Sequence, residues 1–135
     1  MATEPSGENL EAFAKAVVRL VRDATIRNCD ELVEGRVRGA SGARWNEALK
    51  TEEIRNAVKY LLPDVVDQTL FELLDAIDNG MLDLTTGSAS GNPVSLTIEG
   101  KGELAGWFIG SGGWRDQFSA ERYFDDFKDS GSEST

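Results

Sequence analysis

A mainly α-helical domain carrying a small antiparallel β-hairpin is the fold class this sequence predicts, on three observations. Apolar residues recur at i, i+3, i+4 spacing through residues 9–33 and again through residues 51–79. Between Gly80 and Ile98 the apolar period drops to two, the signature of strands. The turn-rich residues 87–92 separate those two strand-like runs. At 135 residues the chain is one domain by size. The expected organisation is a disordered start over residues 1–8, a globular unit over 9–128 and a disordered tail over 129–135.

The first helix is expected from about Asn9 to Leu32 or Val33. Leu10, Phe13, Ala14, Val17, Leu20, Val21, Ala24 and Leu32 form its apolar stripe, with Lys15, Arg19, Arg22 and Asp23 on the far side. Cys29 falls at the stripe's edge, where it reads as a buried, inert thiol. Residues 34–42 form a glycine-punctuated loop bearing Arg36 and Arg38, without the spacing of a phosphate-cradling loop. Residues 43–50 make a short helical turn in which Trp45 and Leu49 sit four apart and can pack together. Thr51 reads as an N-cap, with Glu52 and Glu53 in the first turn. Pro63 suits a first helical position and disfavours helical geometry at Leu62, so a bend is expected there and a new helix from Pro63 to Asn79. Gly80 supplies the left-handed stop.

Stepping ~100° per residue along residues 63–79 puts Val65, Val66, Thr69, Leu70, Leu73, Leu74, Ala76 and Ile77 on one half of that helix. Asp64, Asp67, Gln68, Glu72, Asp75 and Asp78 take the other half, with Phe71 among them. Residues 81–86 and 93–98 read as strands, with Leu82 and Leu84 on one face of the first and Val94, Leu96 and Ile98 inward on the second. The stretch from Leu96 to Gly106 resembles the point in winged-helix regulators where a wing strand turns directly into a helix, with Thr97 as the cap and Gly100 in the first turn. The order helix, helix, helix, hairpin, helix also fits that family. The resemblance implies a winged-helix fold, with the residue 63–79 helix as the recognition helix. That helix presents acids, and a reader of DNA needs basic or amide side chains toward phosphates and base edges, so nucleic-acid binding is not expected.

Gly102, Gly106 and Gly110 share one side of a further helix, a spacing that predicts close packing against another helix. Residues 110–117 form a loop containing Gly112, Gly113, Trp114 and Arg115. Ser119 is the expected cap of a last helix over residues 120–128.

Charge and composition narrow the function classes. No apolar run approaches the ~20 residues of a membrane span, so no membrane association is expected. The single cysteine excludes an internal disulfide and fits a reducing cytoplasm. The chain has no histidine, which removes Ser-His and Cys-His nucleophile pairs and histidine-ligated zinc. Residues 1–60 balance ten basic against ten acidic side chains, so the whole net charge of −10 lies in residues 61–135. Such a field favours basic partners.

Three readings follow. The first is a non-catalytic acidic binding or inhibitor-type protein, recognising a basic protein partner or a second copy of itself. Its interface would be Phe71 as an apolar anchor among Asp64, Asp67, Asp75 and Asp78. The second is a small-molecule or metal-dependent enzyme with a pocket near Trp107, Trp114 and Arg115, or with Glu72, Asp75 and Asp78 sharing a hard cation. The third is a winged-helix-like regulator. The first is preferred, with no metal site and no cofactor expected.

Overall fold

The computed structural model of the chain describes residues 7–86 and 93–127. The two expected disordered tails lie largely outside those residues, and the expected turn over residues 87–92 lies wholly outside them.

Two long helices carry a mainly helical fold. Helix α1 covers residues 8–33 without a break: an α-helical start (Glu8–Lys15), a π-helical middle (Ala16–Asp23) and an α-helical end (Ala24–Val33). This matches the expected span. The π segment changes its phase, because bonding in the i→i+5 register stacks Arg22 over Val17 and Asp23 over Val18. All four of these residues are buried, while Leu20 and Val21 are left exposed. Arg22 and Asp23 therefore do not lie on the far side of the helix, as a uniform 3.6 period places them.

After α1 comes α2, Gly39–Ala48, beginning earlier than the expected turn at residue 43. Trp45 and Leu49 join Val33, Leu62, Cys29 and Val58 in a small apolar cluster. Helix α3, Glu52–Asp78, starts as expected: the Thr51 hydroxyl accepts from the Ile54 N–H at 3.1 Å. Its end also matches. Gly80, at φ 74°, donates to the Ile77 carbonyl and Met81 donates to that of Ala76, the paired bonds of a Schellman stop.

The new helix expected to start at Pro63 does not form: α3 continues through Leu62 and Pro63 over its 27 residues. Proline at this position leaves the Lys59 carbonyl without its helical donor. The Arg122 guanidinium fills that vacancy, Nη2 donating to Lys59 O at 3.0 Å.

The hairpin is also corrected. Residues 81–84 form no strand, and among the described residues antiparallel pairing is confined to β1 (Thr85–Thr86) and β2 (Val94–Ser95), with Thr85 opposite Ser95 and Thr86 opposite Val94. The second expected strand turns helical as α4, Leu96–Gly100, because the Ser95 hydroxyl accepts from the Ile98 N–H and caps it. Thr97 is not the cap; its hydroxyl donates to the Ile77 carbonyl at 3.0 Å. Ile98, expected inward, is exposed. The wing on which the winged-helix resemblance depends is thus reduced to a two-residue ladder among the described residues.

Helix α5 is Leu104–Ile109 and α6 is Trp114–Phe118. Gly106 is exposed on α5, with only the Glu103 side chain near, so no second helix packs against the glycine row. Gly113 has a different reason to be glycine: a Cβ there would stand 2.1 Å from the Trp107 carbonyl oxygen. The helix expected over residues 120–128 does not form over its described part. Buried side chains of α1 take its backbone groups instead: Asp23 accepts from the Ala120 N–H at 2.8 Å, and Arg22 donates to the Arg122 carbonyl at 2.7 Å.

The main core joins Leu10, Ala14, Val17, Val18 and Ile26 of α1 to Val66, Leu70, Leu74 and Ile77 of α3, and is closed by Leu96, Leu104, Phe108 and Trp114. Full burial of side chains this size contributes roughly 1.5–3 kcal/mol each. Among the described residues no helix is long and apolar enough to cross a membrane.

Candidate functional site

The site is organised by a carboxylate that lies inside the protein. Asp67 is only 4% exposed, and two arginines converge on it. Arg22 donates through Nε to Oδ1 at 2.6 Å and through Nη2 to Oδ2 at 3.1 Å; Arg115 donates through Nη1 to Oδ2 at 2.8 Å. The second carboxylate, Asp23, accepts from Arg22 Nη1 at 3.1 Å and from the Ser119 hydroxyl at 2.8 Å. Two buried cations and two buried anions thus cancel. Arg115 also donates to the Ile109 carbonyl at 2.8 Å, and its guanidinium lies 4.5 Å from the centre of the Tyr123 ring. Buried pairs of this kind hold geometry more surely than they add stability, since desolvation offsets much of the attraction.

Burying Asp67 rolls α3 away from the orientation its apolar residues alone would choose. Val66, Leu70, Leu74 and Ile77 go inward as expected. Phe71 follows Asp67 and packs, half-buried, against the main core. Val65 is turned out, 61% exposed, with Leu61 and Leu73 also at the surface.

The acids expected to ring Phe71 are consequently dispersed. Asp67 is inside the arginine pair. Asp78 accepts from the N–H groups of Leu104 and Ala105, both at 2.9 Å, and so satisfies the first turn of α5. Asp75 is half-buried and accepts from the Asn79 side chain at 3.3 Å. Asp64 alone of the four is exposed. The row Glu72, Asp75 and Asp78 does not converge, and among the described residues no three acid or thiol groups gather closely enough to hold a metal ion.

Of the second expected group, Trp114 is buried against Phe13 and Trp107, with ring centres 6.1 and 6.3 Å away. Arg115 lines a groove. This groove, about 710 Å³ in volume, lies between the outer face of α3 and the chain after α6. Asp64, Gln68, Glu72 and Asp126 give it a polar, acidic rim, Val65, Ile109 and Phe124 an apolar wall, and Asp67 with Arg115 its inner end. Phe124 is held by an edge-on contact with Tyr60, ring centres 5.1 Å apart. Val65, Phe124, Asp126, the buried Arg22 and Asp23 and the half-buried Ser119 were missed as contributors in the sequence. The adjacent charges Arg22 and Asp23 in an otherwise apolar helical run were the available signal.

A second groove, about 320 Å³, runs along the other side of Val65, between α1 and α3. Its lining is apolar, and Cys29 belongs to it. Burial, and then the neighbouring Asp30 carboxylate, push the Cys29 thiol above the ordinary cysteine range.

Comparison with family models, with curated proteins and with solved structures finds no match to this chain.

Proposed function

We propose that this is a non-catalytic binding protein of the cytoplasm that recognises a basic protein partner through the acidic groove on α3. One observation carries the reading. Asp64, Glu72 and Asp126 rim that groove, and among the described residues none of the three is in a salt bridge. Arg115 at the groove's inner end does not neutralise the rim, because it and Arg22 behind it are balanced by the buried Asp67 and Asp23. Anionic surface left without internal counter-charge speeds encounter with a cationic partner and repels nucleic-acid backbones. The apolar wall at Val65, Ile109 and Phe124 supplies area that can be desolvated on contact, the usual companion of a charged rim. Phe71 packs against the main core, and the apolar anchors of the groove are Val65 and Phe124.

Calorimetric titration with a lysine- and arginine-rich peptide tests it. Binding is expected at low salt and is lost at high salt. The Asp64→Asn, Glu72→Gln, Asp126→Asn triple variant is expected to bind about tenfold more weakly or worse, since exposed pairs are worth ~0.2–1 kcal/mol each. Equal heats from the native protein and the triple variant would remove the groove from the reading.

A further inference from the structure

We infer that the occupant of this face is an amphipathic basic helix of the partner, its apolar stripe seated in the groove between α1 and α3 and its cations on the acidic rim. The inference rests on the basic-partner reading above and adds the partner's conformation and where it lies.

The two grooves are neighbours. Val65 and Thr69 line both, so they form the ridge between an acidic groove and an apolar one. On the apolar side the lining includes Val21 and Cys29 of α1, Trp45 of α2, and Leu62 and Leu70 of α3. On the acidic side Asp64, Gln68 and Glu72 follow one another at i, i+4 and i+8. Leu61, Val65, Thr69 and Leu73 repeat at the same interval and are all exposed. Two rows therefore run along α3 at 1.5 Å per residue, the mainly apolar one for about 18 Å and the acidic one for about 12 Å. A helix lying along them meets both rows continuously, with apolar side chains three and four apart facing the groove. An extended strand turns every second side chain away from the surface and so offers fewer contacts to two rows on one face.

Charge selects the chemistry of that helix. Residues 61–100 contain seven acids and no lysine or arginine. A second copy of the chain, laid α3 against α3 by two-fold symmetry, would set the acidic row against the acidic row of the other copy. The chain's residues 128–135 offer Lys128 against Asp129 and Glu133, and so cannot neutralise the rim. A basic partner answers both rows.

Two synthetic peptides of identical leucine and lysine content test the inference by calorimetry. One is ordered as an amphipathic helix; the other is permuted so that its leucines spread around the helix. Val65→Asp changes an exposed side chain, and its thermal unfolding is measured alongside. The ordered peptide is expected to bind at least tenfold more tightly than the permuted one, and Val65→Asp is expected to abolish that preference with unfolding unchanged. Equal affinity for the two peptides, or a preference that survives Val65→Asp, overturns the helix inference and leaves the basic-partner reading standing. Binding of neither peptide overturns both. A concentration-dependent dimer in sedimentation that Val65→Asp dissociates assigns the groove to a second copy and also overturns the inference.

Discussion

The Lys59 carbonyl, stripped of its helical donor by Pro63, accepts instead from Arg122, 63 positions further along the chain, at 3.0 Å. The same guanidinium forms a two-point pair with Asp30 of α1, both contacts at 2.9 Å. One side chain thereby repairs α3 and ties it to α1.

Arg122→Ala is expected to cost about 1–2 kcal/mol, at the lower part of the range for charge-assisted bonds because the side chain is partly solvated. In a Pro63→Ala background the helix regains its own donor to Lys59, and the cost of Arg122→Ala is expected to fall by about 1 kcal/mol. Urea unfolding of the four proteins in this cycle gives the coupling. Additive losses would mean that the repair contributes nothing beyond the Asp30 pair.

Asp67 and Asp64 are three residues apart on one helix and should respond oppositely to loss of charge. Asp67→Asn leaves two buried arginines short of their counter-ion and is expected to destabilise by about 3–5 kcal/mol. Asp64→Asn, on the exposed face, is expected to stay within about 0.5 kcal/mol of the native protein. Denaturant midpoints for the two variants check this, and equal effects would contradict the buried tetrad.

Cys29 gives a pH-dependent signal. Its thiol is raised in the folded protein by burial and then by Asp30, so the unfolded chain loses its proton at lower pH than the folded one. The contribution to stability is full below the unfolded thiol's range and is lost as pH rises through the folded value. Ultraviolet titration of the thiolate is expected to show ionisation later in the folded protein than in denaturant. An earlier ionisation would mean that Cys29 is not in the environment described.

Much of the scaffold was legible because it follows local rules. Thr51 caps α3, Gly80 stops it, and α1 spans its expected length, since each depends on residues within a few positions. Most of the departures share one origin, which is partners far away in sequence. Pro63 ends a helix unless something supplies Lys59, and Arg122 does. Residues 120–127 have helical periodicity, but Arg22 and Asp23 claim their backbone groups. The Phe71 ring of acids depended on α3 facing the core with its apolar side alone. Two arginines draw Asp67 inward and turn the helix, which moved the candidate site from Phe71 to Val65. Leu96 and Ile98 alternate as a strand should, yet Ser95 caps them into a helix.

The charged centre also sets the order in which the chain can finish folding. Arg22 and Ser119 meet across 97 positions, and Arg22 and the Arg122 carbonyl across 100. Synthesis runs from the N-terminus, so α1 and α3 leave the ribosome well before Arg115, Ser119 and Arg122. The two helices can associate early through their apolar faces, but Asp67 then holds one arginine and Arg22 lacks two of its acceptors. Completion waits on the last contributors, and closing so long a loop slows the final step. Until that step Arg22 and Asp67 lack the hydrogen bonds that Arg115, Ser119 and the Arg122 carbonyl give them in the complete fold.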